Sequence, residues 1–199
     1  MVDVDGAPVI ERLVERMALG GCRAIRVVTR PDKDDVREYA SSRGLEVVLA
    51  QPAHIGESVA QGLAGVGDEL VALGFPDSIW EPVDGFALLR EALAPPTTVV
   101  LGLFEFADPE RADVVVLDEE GRVRDIVVKS ANPPSTLIWG CLVARADALR
   151  GIERSAWPSD HLRPLLASGV VTARYLSDRY VDIGTPDSLA HARSSSERG

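Results

Sequence analysis

The sequence predicts an α/β fold, a mixed sheet with helices on both faces. Three observations carry it. Apolar runs of strand length alternate with helically spaced apolar positions through the first half of the chain. The second half changes to closely spaced strands joined by short turns, as in a meander. The 199 residues are 46% hydrophobic, ample for one sizeable core, and at this length one domain is expected.

The elements follow in order. Pro8 to Leu19 sets Val9, Ile10, Leu13, Val14 and Met17 on one helical stripe, closed by Gly20-Gly21. Ala24 to Thr29 reads as a buried strand, Asp32 to Ser42 as a helix and Leu45 to Ala50 as a second strand. A loop from Gln51 to Gly56 leads into a helix from about Glu57 to Ala64. Glu69 to Gly74 is a third strand, Val83 to Ala94 a helix and Thr97 to Phe104 a fourth strand. Asp113 to Leu117 and Val123 to Lys129 form a hairpin around Glu120-Gly121. Thr136 to Val143 adds a strand. Helices near Asp147 and over Asp160 to Ala167 precede a short strand at Val170 to Tyr175. A β-branched run then ends on Asp182, and Pro186 opens a C-terminal helix at the position proline prefers. The domain is expected over 1–193, with 194–199 a frayed tail.

Charge and composition exclude several classes. A formal charge of −10 argues against nucleic acid or an anionic membrane as partner, though a local basic cluster could still hold a small anion. Cys22 and Cys141 are far apart and show no metal spacing, which suits reduced core thiols. No apolar run approaches the roughly 20 residues of a membrane span, and the N-terminus has no signal-peptide pattern. These readings point to a cytoplasmic protein.

Four places could carry chemistry. Asp182 sits at a strand end, and Gly74-Phe75-Pro76-Asp77 places a second acid after another strand. Two such acids on one sheet could converge on Mg²⁺, which accepts one or two carboxylates while keeping waters and phosphate oxygens. The plain alternative is that Asp77 only caps its turn. Gln51 offers a side-chain amide that suits a nucleobase edge, and Gly56 permits close backbone approach; a solvated turn is the alternative. Lys129, one of two lysines in the chain, could neutralise a phosphate or merely guard a strand edge. Asp3-Val4-Asp5-Gly6 mimics both a glycosyltransferase DxD and a phosphatase DxDG, but lacks the preceding buried strand that either needs.

Taken in order, these segments resemble the sugar-1-phosphate nucleotidylyltransferases. Val4-Asp5-Gly6-Ala7-Pro8-Val9-Ile10 is similar to the family's VxGxPxI, and Gln51 to Gly56 to its base-contacting Q-x-x-x-x-G loop. Gly74 to Asp77 matches its strand-end G-D, in a Gly-Phe-Pro-Asp form that resembles a thymidylyltransferase-like branch. Ile126 to Lys129 stands where the family has E-K-P, with Val128 and Ser130 replacing Glu and Pro. Tyr180 to Leu189 matches D-I-G-T-P-x-S-L closely.

The resemblance implies a Rossmann-like nucleotidyltransferase (GT-A-like) fold and transfer of a nucleotidyl group from an NTP, dTTP by the thymidylyl likeness, to a sugar 1-phosphate. It assigns Asp77 and Asp182 to Mg²⁺, Gln51, Gly56 and Gly74 to the nucleotide, and Lys129 to the sugar phosphate. Dimers and tetramers are frequent in the family, so a homo-oligomer is compatible with the resemblance and the oligomeric state stays open.

One departure shapes the expectations. The family opens with a strand and a Gly-rich G-x-G-x-R loop, and this sequence begins downstream of both. A simple gap in the sheet would be costly. The expectation is therefore that the true start lies upstream, that the sheet closes differently or that another chain completes it, and that pyrophosphorylase turnover is little or none. A non-catalytic nucleotide-sugar-binding regulator or scaffold is the alternative; a small DxD glycosyltransferase would instead need Asp3 and Asp5 as metal ligands.

Overall fold

The computed structural model describes residues 2–4 and 6–190. An N-terminal hairpin pairs β1 (Asp3–Val4) with β2 (Ala7–Pro8) and runs into α1 (Val9–Leu19). Then come β3 (Arg26–Thr29), α2 (Asp34–Ser42), β4 (Glu46–Leu49), α3 (Ile55–Gly62), β5 (Leu70–Gly74), β6 (Ser78–Trp80) and α4 (Gly85–Ala92). The second half contains β7 (Val99–Glu105), β8 (Val114–Leu117), β9 (Val123–Val127), β10 (Leu137–Arg145), α5 (Pro158–Leu166), β11 (Val171–Ser177) and β12 (Tyr180–Asp182). Residues 186–190 are helical. The expected mixed α/β architecture is present.

Three local differences have physical causes. The helix expected near Asp147 is a single 3-10 turn, Ala146–Leu149. Helix α3 starts two residues earlier than the apolar spacing suggested. The His54 ring accepts a hydrogen bond from the Glu57 N–H (3.3 Å), and the Glu57 carboxylate accepts one from the Ala53 N–H (2.7 Å). That reciprocal cap draws Gly56 into the first turn. Strand β6 was not foreseen, because its partner is a C-terminal strand remote in sequence.

The main sheet has six strands ordered β11-β7-β10-β8-β9, with β5 also paired to β10. Only β11 and β7 run parallel; the other ladders are antiparallel. Along β7 the side chains alternate between two cores. Val99, Leu101 and Leu103 face Val59, Leu142, Ile152 and Leu162, while Val100 and Phe104 face Leu13, Trp80, Phe86 and Leu89. On β10 the ladder to β7 shifts between Trp139 and Cys141. This bulge at Gly140 keeps Ile138 and Cys141 in one core and Trp139 and Leu142 in the other. A third cluster, Val4, Val9 and Ile183 with Ile79, Val181 and Leu189, ties the N-terminal hairpin to β6 and β12.

The sheet is interrupted. Strands β3 and β4 form their own parallel pair, and among the described residues no ladder joins them to β5. Unpaired backbone groups in an apolar interior would cost about 1–3 kcal/mol each. Here the border is half-open instead. Leu70 and Arg26 are exposed, and Val71 to Gly74 and Val27 to Thr29 are only partly covered, so water reaches these edges.

Asp5 and the tail 194–199 lie outside the described residues, so neither the DxD reading nor the frayed end has a structural account. No described helix is long and apolar enough to cross a membrane.

Candidate functional site

The short β6–β12 ladder builds the centre of the site. Its register pairs Asp182 with Ser78, Val181 with Ile79 and Tyr180 with Trp80, and the Ile183 N–H donates to the Asp77 carbonyl at 2.8 Å. The two acids therefore meet at one end of this small two-stranded sheet, Asp182 closing β12 and Asp77 directly preceding β6, and not on strands of the main sheet. Their carboxylates converge beside Gly184, where a β-carbon would stand 3.0 Å from Asp182 Oδ1 and 3.3 Å from Asp77 Oδ2. Tyr180 anchors the ladder to the main sheet by packing on the Gly140 bulge and stacking 5.1 Å from Phe104.

The electrostatics of the pair are uneven. Desolvation pushes the Asp77 carboxyl above its ordinary range, its own N–H opposes this, the Asp182 charge adds to it and Lys129 relieves it. Asp77 is nevertheless exposed as a residue, and that exposure limits the effect. Asp182 has both oxygens engaged. Oδ1 accepts the Gly184 N–H at 2.7 Å, and Oδ2 accepts from the Arg111 guanidinium at 3.1 Å.

Lys129 follows β9 and is exposed, with its ammonium 4.5 Å from the Trp157 ring centroid. Its charge acts on both Asp77 and Asp113. Its backbone N–H donates to Asp113 Oδ1 at 3.3 Å. Asp113 Oδ2 accepts from the fully buried Ser159 hydroxyl, which accepts from Trp139 Nε1 at 2.9 Å. Trp139 then contacts Phe75 at 5.6 Å, within the turn that carries Asp77. A continuous chain of contacts thus joins Lys129 to that turn. Burial raises the Asp113 carboxyl, and its hydrogen bonds from Ser159 and the Lys129 N–H oppose this.

The nucleotide-side residues are dispersed. Gln51 is exposed, two residues past the end of β4. Gly56 faces inward: a β-carbon there would collide with the carbonyl oxygens of Ser155 and Ile152. Gly74 likewise leaves room for Leu13 and Phe86. Packing accounts for both glycines. Arg111, Asp113, Trp157 and Ser159 escaped the sequence reading. Asp113 opens a β-branched run much as Asp182 closes one, the only hint the sequence offered; Arg111 gave none.

The donor set fits a hard divalent cation, with limits. Two converging carboxylates suit Mg²⁺, which completes its shell with water and phosphate oxygens. Among the described residues no group of three or more His, Cys, Asp or Glu is placed to hold a metal. A cation here would therefore rely on its ligand's phosphates, and to use Asp182 Oδ2 as well it would displace Arg111.

No protein-family model matches the chain, and no curated protein matches it in sequence. The likeness lies in the fold. A protein described as a glucose-1-phosphate thymidylyltransferase from Bacillus anthracis, solved in complex with sucrose, superposes with a TM-score of 0.85 at 19% identity. It covers 98% of this chain and 84% of that one. UDP-glucose pyrophosphorylase, solved with UDP-glucose and in its apo form, superposes with TM-scores of 0.83 and 0.82, each at 17% identity. Both of those matches cover 100% of this chain and 89% of the other. The chain shares the fold of these neighbours, a mixed α/β Rossmann-like fold. The neighbours' names carry different bases, so the fold does not choose between them.

Proposed function

We propose that this chain binds a nucleotide-sugar, or its precursors, at the carboxylate pair, and that its chemistry is nucleotidyl transfer. The convergence of Asp77 and Asp182 beside Gly184 carries this reading. An oxygen of the sugar 1-phosphate bonds to the α-phosphorus of the NTP, the bond from that phosphorus to the β-bridging oxygen breaks, and pyrophosphate leaves. Such an in-line displacement needs positioning and charge neutralisation more than a protein nucleophile. Asp77 and Asp182 would hold Mg²⁺, which when bound neutralises phosphate charge. Lys129, steadied by Trp157 and Asp113, would contact the sugar phosphate. Gln51 would read the base, Gly56 and Gly74 would serve the site only through the close packing that sets their loops, and the Gly-Phe-Pro-Asp form favours dTTP. The two free thiols suit a reducing cytoplasm.

Turnover is expected to be weak. Lys129 acts on Asp77 and Arg111 on Asp182, and Arg111 is already spent on that carboxylate. That same observation favours a second reading, a non-catalytic nucleotide-sugar-binding regulator. Calorimetry with dTDP-glucose and UDP-glucose in Mg²⁺, beside a pyrophosphate-release assay with dTTP or UTP and glucose 1-phosphate, tests both. Binding is expected, with slow release that Asp182→Ala abolishes. Binding without release from any substrate pair selects the regulator. Binding of neither nucleotide-sugar overturns the proposal, and fast release overturns the expectation of weak turnover.

A further inference from the structure

Arg111 ends the 3-10 turn Pro109–Arg111, between β7 and β8. Its guanidinium lies 3.1 Å from Asp182 Oδ2 and 3.9 Å from Asp108 Oδ2, and its side chain remains one-third exposed (33%). The Gly184 N–H takes one lone pair of Asp182 Oδ1, the oxygen nearer Asp77, and Arg111 covers Oδ2. Asp77 Oδ2 lies against the same face of Gly184 as Asp182 Oδ1. The guanidinium thus occupies one of the two Asp182 oxygens that a cation chelated by this carboxylate would use.

We propose that Arg111 is an exchangeable counter-cation, resting on Asp182 without ligand and transferring to a ligand's phosphate when a divalent cation takes that oxygen. The physics is charge competition. A dication on Oδ2 repels the guanidinium, which needs a new anionic partner, and a phosphate arriving with the dication supplies one in bidentate-competent geometry. Cation and phosphate then bind as a pair: each removes the penalty that the other would meet alone, a reciprocal coupling. Partial exposure lets the side chain move without opening the core.

The proposal deepens the phosphate-binding reading of this site, and its first arm does not depend on that reading. Mn²⁺ binding to the ligand-free protein, followed by the EPR signal of free Mn²⁺, is indifferent to sugar and base. Arg111→Gln should tighten Mn²⁺ by about 3- to 10-fold, because it removes the competing cation. In the second arm, magnesium pyrophosphate titrated calorimetrically should bind about 3- to 10-fold more weakly to Arg111→Gln, with partial rescue in Arg111→Lys. Opposite signs in the two arms support the exchange. Weakening in both would mean that Arg111 only braces the site, tightening in both that it competes without touching phosphate, and no change in Mn²⁺ affinity that it does not compete; each overturns the proposal. If both arms behave as expected but no nucleotide-sugar binds, the exchange stands and the nucleotidyl reading falls.

Discussion

Strands β7 and β5 flank the same strand, β10, and one row of leucines compares them directly. Leu142 on β10 is paired with Leu101 on one side and Leu73 on the other. All three face the same core, yet Leu101 and Leu142 are fully buried and Leu73 only partly. The difference lies beyond the row. Strand β11 covers β7, setting Ala173 beside Leu101, whereas no described strand pairs with the outer edge of β5. Burial is thus a property of the neighbour, not of the apolar run: Val-Ala-Leu-Gly and Val-Leu-Gly-Leu read alike in sequence.

The largest expected effect breaks that row in two places. Leu101→Ala should cost about 2–5 kcal/mol in urea unfolding, the usual range for a buried leucine, and Leu73→Ala about 1–2 kcal/mol. Equal losses would mean that the β5 edge is as tightly covered as β7. Next comes Ser159→Ala, which strands both Asp113 Oδ2 and Trp139 Nε1 in the buried network. A loss of about 1–3 kcal/mol is expected, and Ser159→Thr should recover part of it. The smallest effect concerns the half-open side. The folded Asp77 pKa lies above its ordinary value, so the native state holds that proton more tightly than the unfolded chain does. Ionisation then erodes stability as pH rises from the ordinary carboxylate range near ~4 through the raised value. Asp77→Asn should match the parent's melting temperature in acid, exceed it modestly over that window and keep a constant advantage at neutral pH. Solvent screening keeps the gain small.

The legible parts of the sequence were those whose cause is local. The stripe Val9 to Met17 announced α1, and the run Val99 to Phe104 announced β7, because periodicity needs no partner. Asp182 was legible for the same reason: a β-branched run, an acid and a Gly-Thr-Pro turn lie within a few residues. Strand β6 was not, since Ser78–Trp80 is a strand only against Tyr180–Asp182. Arg111 sits in an ordinary Asp-Pro-Glu-Arg turn and matters only because that turn lies beside β12. Gly56 and Gly74 drew notice as glycines, but the atoms that require them, on 152–155 and on α1, belong to other segments.

The β6–β12 ladder has a consequence for the order in which the molecule forms. Its three rungs close about half of the chain into a loop, and loop closure of that span is entropically costly until the surrounding cores exist to offset it. Asp77 can be set early, on the turn after β5, but Asp182 reaches it only when the C-terminal segment docks through Ile183 and Tyr180. The paired carboxylates are therefore a late product of folding. Any ligand that needs both of them reads out whether the chain has finished.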